Sequence, residues 1–223
     1  CAVTNRDDLL SPNIPVALCP ALDEIPRMRA MPLLPRVLAG LALAIFSAAQ
    51  AAETSGIGFP DRVVFDHREL TLNGTATRAV FGIRVYAAAL YVSRATGDAE
   101  EITNRNGDPK QLRIVMLRAV PEDKFASAVR DNVDRNFSEA EKLRFSREFD
   151  AFFQCFANGA DLVKGSEVRI DFLPAEGTVV RVGGRNLAVI PGHDFYHALL
   201  RLWIGNPSQS SMKTGLLGSR RAL

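Results

Sequence analysis

Three side chains able to bind an anion stand close together in Thr77-Arg-Ala-Val-Phe-Gly-Ile-Arg-Val-Tyr-Ala-Ala-Ala-Leu-Tyr-Val92. They are Arg78, Arg84 and Tyr86. The segment is dense in Val, Ile, Phe and Tyr, which predicts one long β-rich run, and a regular strand sets these three on one face. A guanidinium on an apolar surface is costly unless an anion or an acceptor meets it. An apolar pocket with a cationic end suits an amphipathic acid or a phenolate. The competing reading of either arginine is a stem lying over apolar surface with its head in water.

Other chemistry-bearing patterns are sparse. His193 and His197 stand four apart, a spacing that can set two imidazoles on one helix face, with Asp194 or His67 as a third metal ligand. No His-Glu-x-x-His pattern accompanies them, so they read as surface histidines at a helix start, and no metal is expected. Gly159, Gly165, Gly177, Gly183 and Gly184 lack phosphate-loop spacing and mark turns. There is no Ser or Cys nucleophile elbow and no paired set of carboxylates in a strand-end context, and no cofactor is expected. Lys124, Arg130, Arg135, Lys142 and Arg144 fall among interleaved acids on the solvated faces of helices. A net charge of +2 over 223 residues gives no strong field and argues against a nucleic-acid partner.

The elements that must position the arginines begin well inside the chain. Residues 1–27 start on Cys1 and are interrupted by Pro12, Pro15, Pro20 and Pro26, which predicts a disordered or spurious extension. Residues 28–51 read as a secretory signal. Arg29 and Arg36 supply the basic end, Val37 to Phe46 the apolar stretch and Ala49-Gln-Ala51 the cleavage site. The apolar stretch is too short to span a bilayer comfortably. Cleavage near Ala51, a periplasmic location and no membrane span after processing are therefore expected. Residues 52–223 form one domain, in which Cys155 is the remaining cysteine. That leaves no internal disulfide, and within Phe152-Phe-Gln-Cys-Phe156 the thiol reads as a buried small apolar group.

Within the domain, Arg62–Phe65 and Glu69–Leu72 read as strands, the second ending in an Asn73-Gly74 turn. The run 77–92 follows, then a polar loop from Arg94 to Lys110, then a strand over 112–120. Pro121 opens a helix with Phe125, Val129, Val133 and Phe137 along one face. Ser138-Glu-Ala-Glu141 is a capping box for a second helix, striped with Phe145, Phe149, Phe152, Phe153 and Phe156 and closed by Asn158-Gly159. Strands are expected near 168–172, 178–182 and 186–190, a helix over 194–205 and a short helix between Pro207 and Gly218. Strands, two helices, strands, helix make an α+β fold, with helices gathered on one face of a mostly antiparallel sheet.

Leu70-Thr-Leu-Asn-Gly-Thr-Ala-Thr-Arg78 and Phe81–Tyr91 resemble the chalcone isomerase superfamily, in particular its exported bacterial chalcone isomerase-like members. Leu117-Arg118, Pro191-Gly-His-Asp-Phe195, Ala198–Gly205 and Leu216-Leu-Gly218 extend the resemblance over about 59–218. It implies an open-faced β-sandwich, a large antiparallel sheet under a helical layer. In the plant isomerases, an arginine matching Arg78 steadies the anionic nucleophile as a chalcone closes to a flavanone without a cofactor. The family's strand threonine corresponds to Tyr86, its helix tyrosine to Phe125, and a threonine-methionine pair to Leu202-Trp203; a helix asparagine is kept at Asn132. Two polar groups of the reaction are therefore missing.

The resemblance also reaches non-catalytic fatty-acid-binding members, in which an arginine and a tyrosine hold the carboxylate, and Arg78 with Tyr86 resembles that arrangement more than the catalytic one. The expectation is a non-catalytic binder of a fatty acid or similar small lipophilic anion, with Arg78, Tyr86, Phe125, Asn132, Leu202 and Trp203 lining the site. The alternative is a cofactor-independent isomerase, an intramolecular lyase acting on chalcone-like aromatic enones through Arg78. A third reading is a structural or partner-binding envelope protein whose pocket has collapsed.

Overall fold

The alternation of apolar and polar residues from Arg62 onward builds a sheet with one face under helices and part of the other, around Leu70, Ala87 and Tyr91, under a second apolar cluster. The computed structural model describes residues 51–104, 107–157 and 162–218. The expected extension over 1–27, the signal segment up to Gln50 and the Asn158-Gly159 helix stop therefore lie outside the described residues. A ribbon not expected from the sequence comes first: β1 (Ala51–Thr54) pairs antiparallel with β2 (Ile57–Pro60).

The main sheet is antiparallel throughout and follows chain order. Its strands are β3 (Arg62–Phe65), β4 (Arg68–Val80), β5 (Ile83–Val92), β6 (Lys110–Met116), β7 (Glu167–Leu173), β8 (Gly177–Val182) and β9 (Arg185–Ile190). Six helices accompany it among the described residues: α1 (Ala99–Asn104), α2 (Glu122–Asn136), α3 (Glu139–Arg144), α4 (Ser146–Gln154), α5 (Asp194–Ile204) and α6 (Ser210–Leu216). Ala88, Leu90, Ile114, Val168, Ile170 and Val180 pack on the helix side against α2, α4 and α5. On the opposite side Phe59, Leu70, Leu72, Ala87, Ala89 and Tyr91 form a second apolar cluster, to which Ala52 and Ile57 of the ribbon add.

Several expectations need correction. The run 77–92 is a hairpin: Phe81 and Gly82, both at positive φ (48° and 77°), turn β4 back into β5. Positive φ at both central residues of a two-residue loop matches the right-handed strand twist. Asn73-Gly74 is no turn but an irregularity inside β4, where the pairing slips between Leu72 and Gly74. The 94–110 loop contains α1. The second helix is two, α3 and α4, separated at Phe145, while the capping box at Ser138 and Glu141 forms as expected. Fold class, helical layer and the stripe Phe125, Val129, Val133 and Phe137 stand as read.

Candidate functional site

Arg78 and Tyr86 do meet, by cross-strand pairing rather than along one strand. Arg78 on β4 sits directly opposite Tyr86 on β5. The slip at Asn73 makes this possible. Before it, Leu70 and Leu72 face the ribbon; after it, Ala76 faces the helices although it has the same parity. One extra residue in a strand reverses every later side chain. Arg78 is thereby turned to the side where Tyr86 packs against the helix-side core.

The two polar groups are held from α5 and α6. Trp203 Nε1 donates to Tyr86 Oη at 3.3 Å. An indole has no acceptor, so the tyrosine oxygen receives this bond and its own hydrogen stays free to be donated. Burial pushes the Tyr86 hydroxyl above its ordinary range, while the Trp203 bond and the Arg78 charge pull it down less strongly. The hydroxyl therefore remains a donor at neutral pH. Arg78, half-buried, donates from Nη1 to Gln209 Oε1 at 3.2 Å. Gln209 also accepts from Ala79 N and donates to Thr77 O, both at 2.9 Å, so it fixes β4 and the guanidinium together. Among the described residues no carboxylate forms an ion pair with Arg78. A planar fork of five donors spends little of its capacity on one neutral amide.

Both groups line a cavity of about 370 Å³ between the β4–β5 hairpin, α2 and α5. That is within the range of small-molecule sites. All six residues singled out from the sequence line it: Arg78, Tyr86, Phe125, Asn132, Leu202 and Trp203. Phe125 forms a wall, its ring 5.1 Å from that of Phe156. Asn132 is committed elsewhere: its Oδ1 accepts from Ser208 N at 2.9 Å and its Nδ2 donates to Ala128 O at 3.1 Å. Its role is to tie α2 to the segment that carries Gln209. Arg84 is exposed and does not line the cavity, because the second slip, between Arg78 and Ala79, sets it opposite Ala79 at the sheet edge.

Among the described residues no group of three metal-type ligands comes together, at the histidines or elsewhere. His193 Nε2 lies 2.9 Å from Pro174 O. His197 is not a surface residue. It is buried, with Nε2 3.3 Å from Lys110 Nζ, and burial lowers its pKa to about 4, the Lys110 charge adding to the effect. Cys155 is buried and free, as expected, and burial pushes its thiol up to about 11, far from a reactive thiolate.

Arrangement and sequence then converge. A family described as chalcone isomerase-like matches residues 51–218. This chain belongs to the chalcone isomerase-like family. No curated protein matches it. Among solved structures, a fatty-acid binding protein of Arabidopsis thaliana superposes with a TM-score of 0.55 at 17% identity, covering 75% of this chain and 94% of that one. At this identity the likeness establishes the shared fold: a curled antiparallel sheet with a helical layer.

Within this chalcone isomerase-like site, sequence reasoning missed three contributors. Gln209 contacts Arg78 across 131 positions of chain, which no local pattern announces. Arg118 and Lys124 line the cavity mouth. Lys124 reads from the sequence as a solvated helix cation, and it is exposed, 3.8 Å from Asp123. The signal was available in its spacing: position 124 neighbours Ala128 on α2, and Ala128 also lines the cavity.

Proposed function

We propose that this protein is an exported, non-catalytic binder of a fatty acid or similar lipophilic anion. One observation carries the reading: a cation that no carboxylate of the described residues pairs with and a hydroxyl with an unspent proton lie side by side in a largely apolar cavity, to which Arg118 and Lys124 add further positive charge. The carboxylate accepts from Arg78 and Tyr86, and the acyl chain lies against Phe125, Val129, Leu202 and the Trp203 ring. Each buried methylene contributes about 0.8 kcal/mol, so chain burial supplies most of the affinity and the anchor supplies orientation. Phe125 and Leu202 offer no hydroxyl to organise water or polarise a ketone, which counts against the isomerase alternative.

Arg78→Ala removes a charge-assisted hydrogen bond of roughly 1.5–3 kcal/mol, a loss of about one to two orders of magnitude in affinity for dissolved laurate. Titration of the delipidated chain checks it, and unchanged affinity would falsify the anchor. Chalcone turnover above the spontaneous rate that disappears in Arg78→Ala would replace this reading with the isomerase one.

Export is supported by the basic, apolar and small-residue segments of 28–51, with β1 beginning at Ala51, so that cleavage there removes only the first residue of the ribbon. Among the described residues no helix is long and apolar enough to cross a membrane. The intact mass of the chain recovered from the periplasm checks processing; a chain still carrying residues 28–51 contradicts it.

A further inference from the structure

The tip of the β4–β5 hairpin is built at odds with folding. Phe81 is fully exposed at a positive φ of 48°, a backbone region that favours Gly, Asn or Asp and is strained for a bulky aromatic. Its neighbours across the turn, Val80 and Ile83, are 40% and 52% exposed. Three large apolar side chains thus project into solvent where turn chemistry asks for Asn-Gly, and Phe81 contributes nothing to the core. An outlier maintained against local preference points to use.

Cations surround this apolar tip. Arg84 follows it on β5, Arg78 precedes it on β4, and Arg118 and Lys124 line the cavity that also touches Val80, Phe81 and Ile83. No acidic residue occurs between Glu69 and Asp98, and Asp123 is the carboxylate that pairs with Lys124. An apolar wedge ringed by positive charge complements a bilayer with anionic headgroups: aromatic and aliphatic groups enter the acyl boundary while cations meet phosphates.

We infer that the hairpin tip docks on an anionic membrane surface, with Phe81 as the inserted group, so that the cavity mouth opens onto the lipid. The docking surface takes its purpose, transfer of an acyl chain, from the binding reading, but not its existence.

Vesicles of phosphatidylcholine with and without phosphatidylglycerol, each carrying a photoactivatable phospholipid, test it on the full chain. Trypsin releases Ala79–Arg84 as one peptide, so insertion is read at the tip itself. The expected result is labelling of that peptide on anionic vesicles, falling roughly tenfold in Phe81→Asn, which suits the positive φ, and by a similar factor in Arg84→Glu, read on its longer peptide. Arg84→Glu should leave the affinity for dissolved laurate unchanged, since Arg84 lies outside the cavity. Equal labelling on neutral vesicles, or labelling insensitive to both substitutions, overturns the docking. A chain that binds laurate while its tip stays unlabelled overturns the docking alone; a labelled tip without laurate binding overturns the binding reading alone.

Discussion

Tyr86 illustrates how one hydrogen bond sets the role of another. Because Trp203 can only donate, it consumes a lone pair of the tyrosine oxygen and leaves the phenolic hydrogen directed elsewhere. In an apolar cavity beside Arg78, a carboxylate is the natural acceptor. Tyr86→Phe keeps the ring against the core and removes this donor, so laurate affinity should fall roughly tenfold, the worth of one bond to a charged group. Trp203 loses its acceptor, and a buried donor left unpaired costs about 1–3 kcal/mol of stability. If Arg78 and Tyr86 grip the same carboxylate, the double substitution loses less than the sum of the two single losses. Strict additivity in calorimetric titrations separates the two groups, and an unchanged dissociation constant in Tyr86→Phe removes the hydroxyl from the site.

The site depends on a strand irregularity and on two glycines. Asn73 fills the slip in β4 and is buried, its Nδ2 donating to Leu216 O at 2.7 Å and its Oδ1 accepting from Thr96 N at 2.8 Å. Next to it, a methyl on Gly74 would run into the carbonyl of Gly215 and lie 2.7 Å from that of Leu216. A methyl on Gly215 would in turn lie 2.9 Å from Ala76 Cβ. Only bare backbone lets α6 lie on β4, and the N-cap of α6 is Gln209, the residue that holds Arg78. Gly74→Ala should therefore destabilise the fold by about 1–3 kcal/mol and also weaken laurate binding, although residue 74 is outside the cavity. Thermal melts and titration of the same sample check both; a loss of stability with intact affinity uncouples α6 from the anchor. The sequence made much of this visible without its geometry. Residue type and family resemblance brought Arg78, Tyr86, Phe125, Leu202 and Trp203 to one place, and helix stripes gave α2 and α5. Asn73-Gly74 read as a turn because that dipeptide has the same composition whether it closes a hairpin or bulges a strand. The hairpin at Phe81-Gly82 stayed hidden because Phe is no turn signal.

Burial on both faces of the sheet also gives the molecule two opposed titrations. Asp171 alternates with Val168, Ile170 and Phe172, a pattern that places its carboxyl away from the helices and predicts exposure, yet it is 0% exposed and pairs with Arg181. Burial raises its pKa from 3.8 to about 6, against the downward pull of Arg181. A raised acid pKa means that the fold holds a proton the unfolded chain has released, so stability present at low pH is lost as pH climbs from about 4 to about 6. His197 acts in the other direction. Its pKa, lowered from 6.5 to about 4, means that the unfolded chain takes a proton the fold refuses, so stability is lost as pH falls through the same interval. The aspartate's effect is on the order of 3 kcal/mol; the histidine's, less completely buried, is somewhat smaller, and the two largely offset each other. The wild-type chain should keep a nearly constant midpoint of thermal unfolding from about pH 4 to about pH 6.5. Asp171→Asn leaves the histidine unopposed, and its midpoint should drop on acidification. His197→Gln leaves the aspartate unopposed, and its midpoint should rise as pH is lowered over the same range. Parallel flat profiles in both variants would mean that neither group changes protonation on unfolding, and a steep wild-type profile would mean that burial shifts one group far more than the other.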